Sequence, residues 1–309
     1  MKKILSIILT VFCVLALACK SKPPVVETPA PGLENPNVGP KLTVVIPELF
    51  SPDPDVVNDV MTIGITVNHP VPIKDWAIQI QPNRQSTAQA SQQSGEAVRQ
   101  PRNRGPFFEQ NGTGTPAKDW KWNGKSSRES GEMVQSAMEY KFTLTVTDTF
   151  GNSSVYGNSP EEGIINVGII VRRDGDVLRM AVPSIIFPPN AADFKLLNED
   201  DMRSNRRVLN LIGRALNKFP DYKITIEGHS NPTTPVGAQR NKEEINDLKP
   251  LSQKRAQAVL DYLSAGDFQY KIDKTRLHAV GMGGTRTIAE YNNSDENWKN
   301  RRVEFILRK

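Results

Sequence analysis

The sequence predicts a two-part globular chain, a small antiparallel β-sandwich followed by an α/β layer, carried behind a leader and a stiff tether. Three observations predict it. Alternating apolar residues fill 41–172 with no helix-period stretch of useful length, the pattern of strands with one buried face. Strand and helix patterns alternate over 176–309, which places helices on a sheet. Residues 1–40 run from charged to apolar to proline-rich and fit neither pattern.

The leader comes first. Lys2 and Lys3 precede an apolar run from Ile4 to Ala18 that is short for a membrane span. It ends at Ala16-Leu17-Ala18-Cys19, which resembles a bacterial lipobox with Ala16 where a large aliphatic residue is usual. The resemblance implies a lipoprotein signal peptide over 1–18 and acyl chains, palmitate among them, on Cys19. An ordinary secretory peptide with a stray cysteine is the alternative. The other cysteine, Cys13, lies inside the leader, so the mature chain has no internal disulfide to form. More than one acyl chain gives stable membrane attachment where a single chain does not. Six prolines in Lys20–Pro40 make 19–40 an extended tether.

Composition excludes little else. Hydrophobic content of 38% and charged content of 24% are ordinary for the 309 residues. The net charge of +5, to which Lys2 and Lys3 contribute, is too mild to argue for nucleic acid.

Within 41–172, Ile63, Ile65 and Val67 alternate with polar residues or Gly, as do Trp76, Ile78 and Ile80, and later Tyr140, Phe142, Leu144 and Val146. Turns at His69-Pro70, Asn123-Gly124 and Gly151-Asn152 separate the runs. Asn83 to Lys118 lacks periodicity and reads as a long loop, either solvated or a binding loop in which Arg99, Arg102 and Arg104 meet an acidic partner. The stretches SPDPDVVNDVMTI, WKWNG and EYKFTLTVTDTFGN resemble immunoglobulin-like domains of the flagellar hook-capping protein. That resemblance implies an immunoglobulin-like sandwich and no particular ligand. Asp53, Asp55, Asn58 and Asp59 lack the spacing of a calcium loop and read as turn caps. Trp120 and Trp122 could stack on sugar, but on one strand face they read as core.

The second part, 176–309, begins with one or two strands over Val177–Phe187. A helix follows, with Val208, Leu211, Ile212, Ala215, Leu216 and Phe219 on one face. Tyr222–Glu227 is a strand. Leu251-Ser252 opens a second helix, with Ser252 as N-cap and Ala256, Val259, Leu260 and Leu263 buried. Arg276–Val280 and Val303–Leu307 are the remaining strands.

Four motifs carry the functional signal: GHSN at 228–231, LSQKRAQAVLDYL at 251–263, RLHAVGMGG at 276–284 and NRRVEFIL at 300–307. Together they resemble the OmpA-like domain of the peptidoglycan-associated lipoprotein and the stator protein MotB. The resemblance implies an α/β fold, no enzymatic activity, no cofactor, and non-covalent binding of the peptidoglycan stem peptide, usually through diaminopimelate. Such a head group needs an acid for its ammonium and an arginine fork for its carboxylate. The family's arginine maps onto Arg255, in the first turn of the second helix, and Gly228, Ser230 and Arg301 fall beside it. A helix N-terminus there adds amide donors and a partial positive charge.

The family's acid maps onto Asn231. Asn keeps an acceptor but loses the charge. Leu248 stands where the family often has Asn, and Pro232–Pro250 is a loop about nine residues longer than the family pattern. Three readings stay open: Glu243, Glu244 or Asp247 in that loop substitutes for the acid; the wall carries ornithine in place of diaminopimelate; or the site no longer binds. Asn here followed by PTTP resembles spirochaete lipoproteins. Arg302 reads as a solvated strand-edge charge and His229 as a hydrogen-bonding turn residue. Three histidines without ligand spacing suggest no metal. Gly281, Gly283 and Gly284 lack a nucleotide-loop context, and no nucleophile–base arrangement offers catalysis. The expectation is a lipid-anchored outer-membrane protein facing the periplasm and tethered to the cell wall. The alternative is a protein-interaction module of an envelope assembly, partnering other envelope proteins through a degenerate site.

Overall fold

The structure, a computed structural model, describes residues 32–52, 59–83, 105–293 and 296–309. Cys19, the leader, Asp53, Asp55, Asn58, Arg99, Arg102 and Arg104 lie outside the described residues. Among the described residues no helix is long and apolar enough to cross a membrane.

The first region is β-rich. Strands β1 (Lys41–Val45), β2 (Met61–Asn68) and β5 (Asp119–Trp122) form one sheet in the order β1-β2-β5. Strands β3 (Ile73–Pro82), β4 (Phe108–Thr113), β6 (Glu139–Asp148) and β7 (Ser153–Tyr156) form a second in the order β4-β3-β6-β7, with β8 (Ile164–Asn166) also paired to β6. All these pairings are antiparallel. The alternating residues read from the sequence converge: Ile63, Ile65, Ile78, Ile80, Tyr140, Phe142, Leu144 and Val146 are buried in one core, with Val67 and Trp76 at its margin. Trp120 and Trp122 are buried there too, their indole N–H groups donating to Gln110 Oε1 and the Lys125 carbonyl.

One expectation fails in this region. The stretch read as an unbroken loop, 83–118, contains β4, which pairs with β3 from Asp75↔Thr113 to Ile80↔Phe108. Its sequence, FEQNGT, is largely exposed. An edge strand with no buried face carries no apolar alternation for the sequence to display.

The second region is an α/β layer. Its sheet runs β12-β11-β13-β10-β9, built from β9 (Arg172–Asp174), β10 (Val177–Val182), β11 (Lys223–His229), β12 (Leu277–Gly283) and β13 (Val303–Arg308). Only β11 and β12 are parallel. Helix α1 (Glu199–Leu216) is capped by Asn198, whose side chain accepts the Asp201 N–H. Its buried stripe is Asn205, Val208, Leu209, Ile212 and Leu216, so Leu209 occupies the core and Leu211 only its margin.

The connection to the second helix also departs from expectation. Helix α2 (Ala238–Glu243), a π turn over Glu244–Leu248 and helix α3 (Lys249–Ser264) follow one another without a break. The extra residues are therefore largely a helical extension, not a loop. Pro250 misleads the sequence reading. Its ring and missing N–H normally end a helix, but here the widened π turn precedes it. Ser252 is accordingly not an N-cap. It lies inside α3, fully buried, donates to the Lys249 carbonyl and accepts the Gly283 N–H at 2.9 Å. The stripe Ala256, Val259, Leu260 and Leu263 is buried as read.

Candidate functional site

Strand β11 ends in Gly228-His229-Ser230-Asn231, stitched on both sides. The His229 N–H donates to the Arg302 carbonyl (2.9 Å) and the Ser230 N–H to the Gly283 carbonyl (2.8 Å). Gly228 serves packing: a Cβ there would lie 2.2 Å from the Ser252 carbonyl oxygen. Its bare backbone lets α3 press against the strand.

Asn231 is held from three directions. Its side-chain NH2 donates to the carbonyls of Pro232 (2.8 Å) and Tyr291 (3.1 Å), and its Oδ1 accepts from Asn300 Nδ2 at 2.8 Å. Asn300, fully buried, also donates to the Ala289 carbonyl and accepts the N–H groups of Ile288 and Ala289. The side chain at the family's acid position thus joins the β11 turn to the segment before β13. Asn300 opens the NRRVEFIL motif, but its role is not readable there because its partner Asn231 lies far along the chain.

Arg255 is half-buried on α3. Because the helix starts earlier than read, Arg255 sits in its second turn and not the first. The guanidinium donates to the carbonyls of Ala191 (3.1 Å) and Pro188 (3.3 Å) and lies over the Phe187 ring. Burial, and then the charge of Arg301, lower its pKa to about 10. Arg301 itself is exposed. The two cations named by the sequence therefore act on one another.

The three substitute acids fare differently. Glu243 is fully engaged: its two oxygens accept the N–H and O–H groups of Thr233 and Thr234. Burial would push its carboxyl up, but these bonds hold it below the ordinary value. Asp247 is exposed. Glu244 accepts the Gly284 N–H on Oε2 (2.8 Å), while its Oε1 is buried without a hydrogen-bond partner. A Cβ on Gly283, whose φ is +56°, would fall 1.7 Å from that oxygen, so the glycine makes room for the carboxylate. Ser230 Oγ is likewise buried and unpartnered.

Behind the turn, Glu227, His229 and Glu304 bring their ligand atoms within 4.8 Å of one another. Positive charge is already supplied there. Arg302 places Nε and a terminal nitrogen on Glu304 Oε1 (2.7 and 2.6 Å), and Arg286 reaches Glu227 at 3.2 Å. The His229 ring and Arg286, against the cost of burial, hold the Glu227 carboxyl below its ordinary value. This is an ion-pair network. Two expectations are corrected by it. Arg302 is buried and not a solvated edge charge. The ring nitrogens of His229 make no hydrogen bond in the turn, lying 3.6 Å from Glu227 and 3.8 Å from Glu304.

Residues 199–301 match the OmpA family and form an OmpA family domain. Solved structures similar to this chain include a MotB-like protein from Desulfovibrio vulgaris, 26% identical over 46% of this chain and 82% of that one, with a TM-score of 0.35. They include the cell wall anchor of the T6SS from Pseudomonas aeruginosa, at 24% identity, 45% and 86% coverage and a TM-score of 0.32. An outer membrane protein from Borrelia burgdorferi is 26% identical over 45% of this chain and 95% of that one, with a TM-score of 0.30. No curated protein matches.

Proposed function

We propose that the OmpA family domain at 199–301 binds the stem peptide of peptidoglycan non-covalently, and that the chain is a non-enzymatic envelope lipoprotein. Cys19 carries the lipid, 19–40 is the tether, 41–172 is an immunoglobulin-like spacer and 176–309 docks on the wall. Outer membrane and wall are thereby linked on the periplasmic side.

The observation that carries the reading is Arg255. A half-buried guanidinium whose pKa is depressed by burial and by a second cation gains most from an arriving anion. The carboxylate of the stem peptide's diamino acid supplies one, received by Arg255 beside Arg301. Its ammonium goes to Glu244, whose Oε1 has no hydrogen-bond partner; that oxygen is fully buried against Gly283, so binding requires the turn to open there. Asn231 keeps the turn in place. With ornithine in the stem peptide, the ammonium end of the site acts alone.

A second reading, an interaction module whose wall site is closed, draws on the full engagement of the Asn231 side chain. Co-sedimentation of the whole chain with purified sacculi separates the two. The wall reading expects wild-type protein in the pellet and about tenfold or more loss for Arg255→Ala, the scale for truncating one side of a buried charged contact. Wild-type protein that stays in the supernatant sinks it.

A further inference from the structure

The β-rich region and the OmpA family domain meet on a short 3-10 turn, Asn297–Asn300, and consecutive residues of that turn face different partners. Trp298 packs against the core of the β-rich region. Lys299 Nζ lies 2.6 Å from Glu132 Oε1, with the two side chains only 11% and 24% exposed, and Lys299 also pairs with Glu296. Asn300 then holds Asn231 and the backbone of Ile288 and Ala289. Arg301 follows, close enough to act on Arg255. A contact between regions and a contact with the site are thus one residue apart on a four-residue turn.

We infer that the β-rich region is a working part of the binding site: Glu132, Trp298 and Lys299 are positioning residues that set where Asn231 and Arg301 stand. The inference rests on the wall-binding reading for its ligand but not for its geometry. Ion pairs this enclosed are screened little by salt. Neutralising Glu132 leaves the enclosed Lys299 with Glu296 of its own turn as its carboxylate, so the turn loses its charged tie to the β-rich region at that point. The aromatic face of Trp298 gives the contact area, and Lys299 Nζ stays 5.7 Å from that ring's centroid. A second contact between the regions provides an internal control. Arg207 pairs with Glu139 at 3.1 Å and donates to the Ala137 carbonyl, across a cavity of about 330 Å³ lined in part by Glu139, Arg207 and Trp298. Its polar partners, Glu139 and the Ala137 carbonyl, lie outside the turn, although Trp298 lines the same cavity.

The test uses the whole chain and two readouts. Amide hydrogen exchange at Ile288 and Ala289, whose N–H groups rest on Asn300 Oδ1, reports the position of the turn without any ligand. Sedimentation with sacculi reports the site. Glu132→Gln and Trp298→Ala are expected to speed exchange at those two amides about tenfold and to weaken sedimentation about fivefold. Lys299→Arg, which keeps the pair, should behave as wild type, and Arg207→Gln should leave both amides unchanged. Unaltered exchange in Glu132→Gln and Trp298→Ala overturns the inference whatever the sacculi do. Equal acceleration in Arg207→Gln also overturns it, because general loosening would then be the cause. Faster exchange with full-strength sedimentation removes the link to the ligand. Failure of the wild-type chain to sediment, with exchange as expected, sinks the wall reading and leaves the positioning geometry standing.

Discussion

Two histidines are buried beside carboxylates, one in each region, and their surroundings differ. In the β-rich region His69 Nε2 lies 2.8 Å from Asp148. The same carboxylate accepts the N–H groups of Phe150 and Asn152 and the Asn152 side-chain amide. That node is closed. In the OmpA family domain His229 lies beside two carboxylates with neither ring nitrogen hydrogen-bonded. Ser230 Oγ, Arg240 Nε, Glu244 Oε1 and Arg302 are unpartnered at one atom each, while the β-rich region contributes only Thr149 Oγ1 among the described residues. Buried polar groups without partners are costly and are normally few. Among the described residues such atoms gather in the second region, while the β-rich region has its buried side chains paired except at Thr149.

Breaking the closed node should have the largest effect. Asp148→Ala strands several donors at once, and a loss of about 3–5 kcal/mol is expected, the scale of two buried hydrogen bonds to a carboxylate. Urea unfolding followed by tryptophan fluorescence measures it, since Trp76, Trp120, Trp122 and Trp298 all pack in or against the core of the β-rich region. A loss below about 1 kcal/mol would show that the node is not what holds the DTFGN turn. The pH dependence has a definite sign. Burial pushes the Asp148 carboxyl up, but hydrogen bonds from Asn152, His69 and Phe150 hold it below its ordinary 3.8. A depressed carboxyl stabilises the fold fully above the unfolded value, and that contribution is lost as pH falls through the lower folded one. The Asp148 contribution to the β-rich region should therefore be complete above about pH 4 and fall away below, a loss that Asp148→Asn no longer shows.

Next in size is Asn231→Asp. The family comparison of residues suggests that restoring the acid tightens binding to diaminopimelate-type wall. The hydrogen bonds say otherwise. The Asn231 NH2 faces the carbonyls of Pro232 and Tyr291, and a carboxylate oxygen there would repel both. A loss of about 1–3 kcal/mol is expected, the cost of leaving buried groups unpaired, together with weaker sedimentation with sacculi. A variant that is as stable as wild type and binds more tightly would show that the turn tolerates the acid, and would end the structural account of this asparagine.

Legibility in the sequence follows the same division. Strand faces in the β-rich region were readable because burial on one side imposes a period of two, as in Tyr140, Phe142, Leu144 and Val146. The polar edge strand β4 was not. Arg255, Arg301 and the GHSN turn were singled out through the resemblance to the OmpA-like domain, while the hydrogen bonds and burial of each side chain were not readable. Asn231 and Asn300 meet from 69 positions apart, beyond any local pattern. Arg302 could have been found: Glu304 stands two residues on, and on a strand that places both side chains on one face. Pro250 was readable only as a boundary, because nothing local announces a widened turn ahead of it.

The smallest stability effects should come from the buried atoms that have no partner, and they separate frame from site. An atom with no partner adds nothing to the fold beyond its packing, so removing it should cost little. Ser230→Ala deletes one such oxygen. Glu244→Gln replaces the other with a neutral group that can still accept the Gly284 N–H through its carbonyl. Changes within about 0.5 kcal/mol of wild type are expected for both, and Glu244→Gln can rise above it, since a half-buried charge is removed. Binding should move the other way. If Glu244 receives the ammonium of the stem peptide, losing its charge roughly halves the strength of that hydrogen bond, and sedimentation with sacculi should fall several-fold while the melting temperature holds. Stability and binding lost together would make Glu244 a part of the frame, like Asp148. Binding lost alone would make it a part of the site.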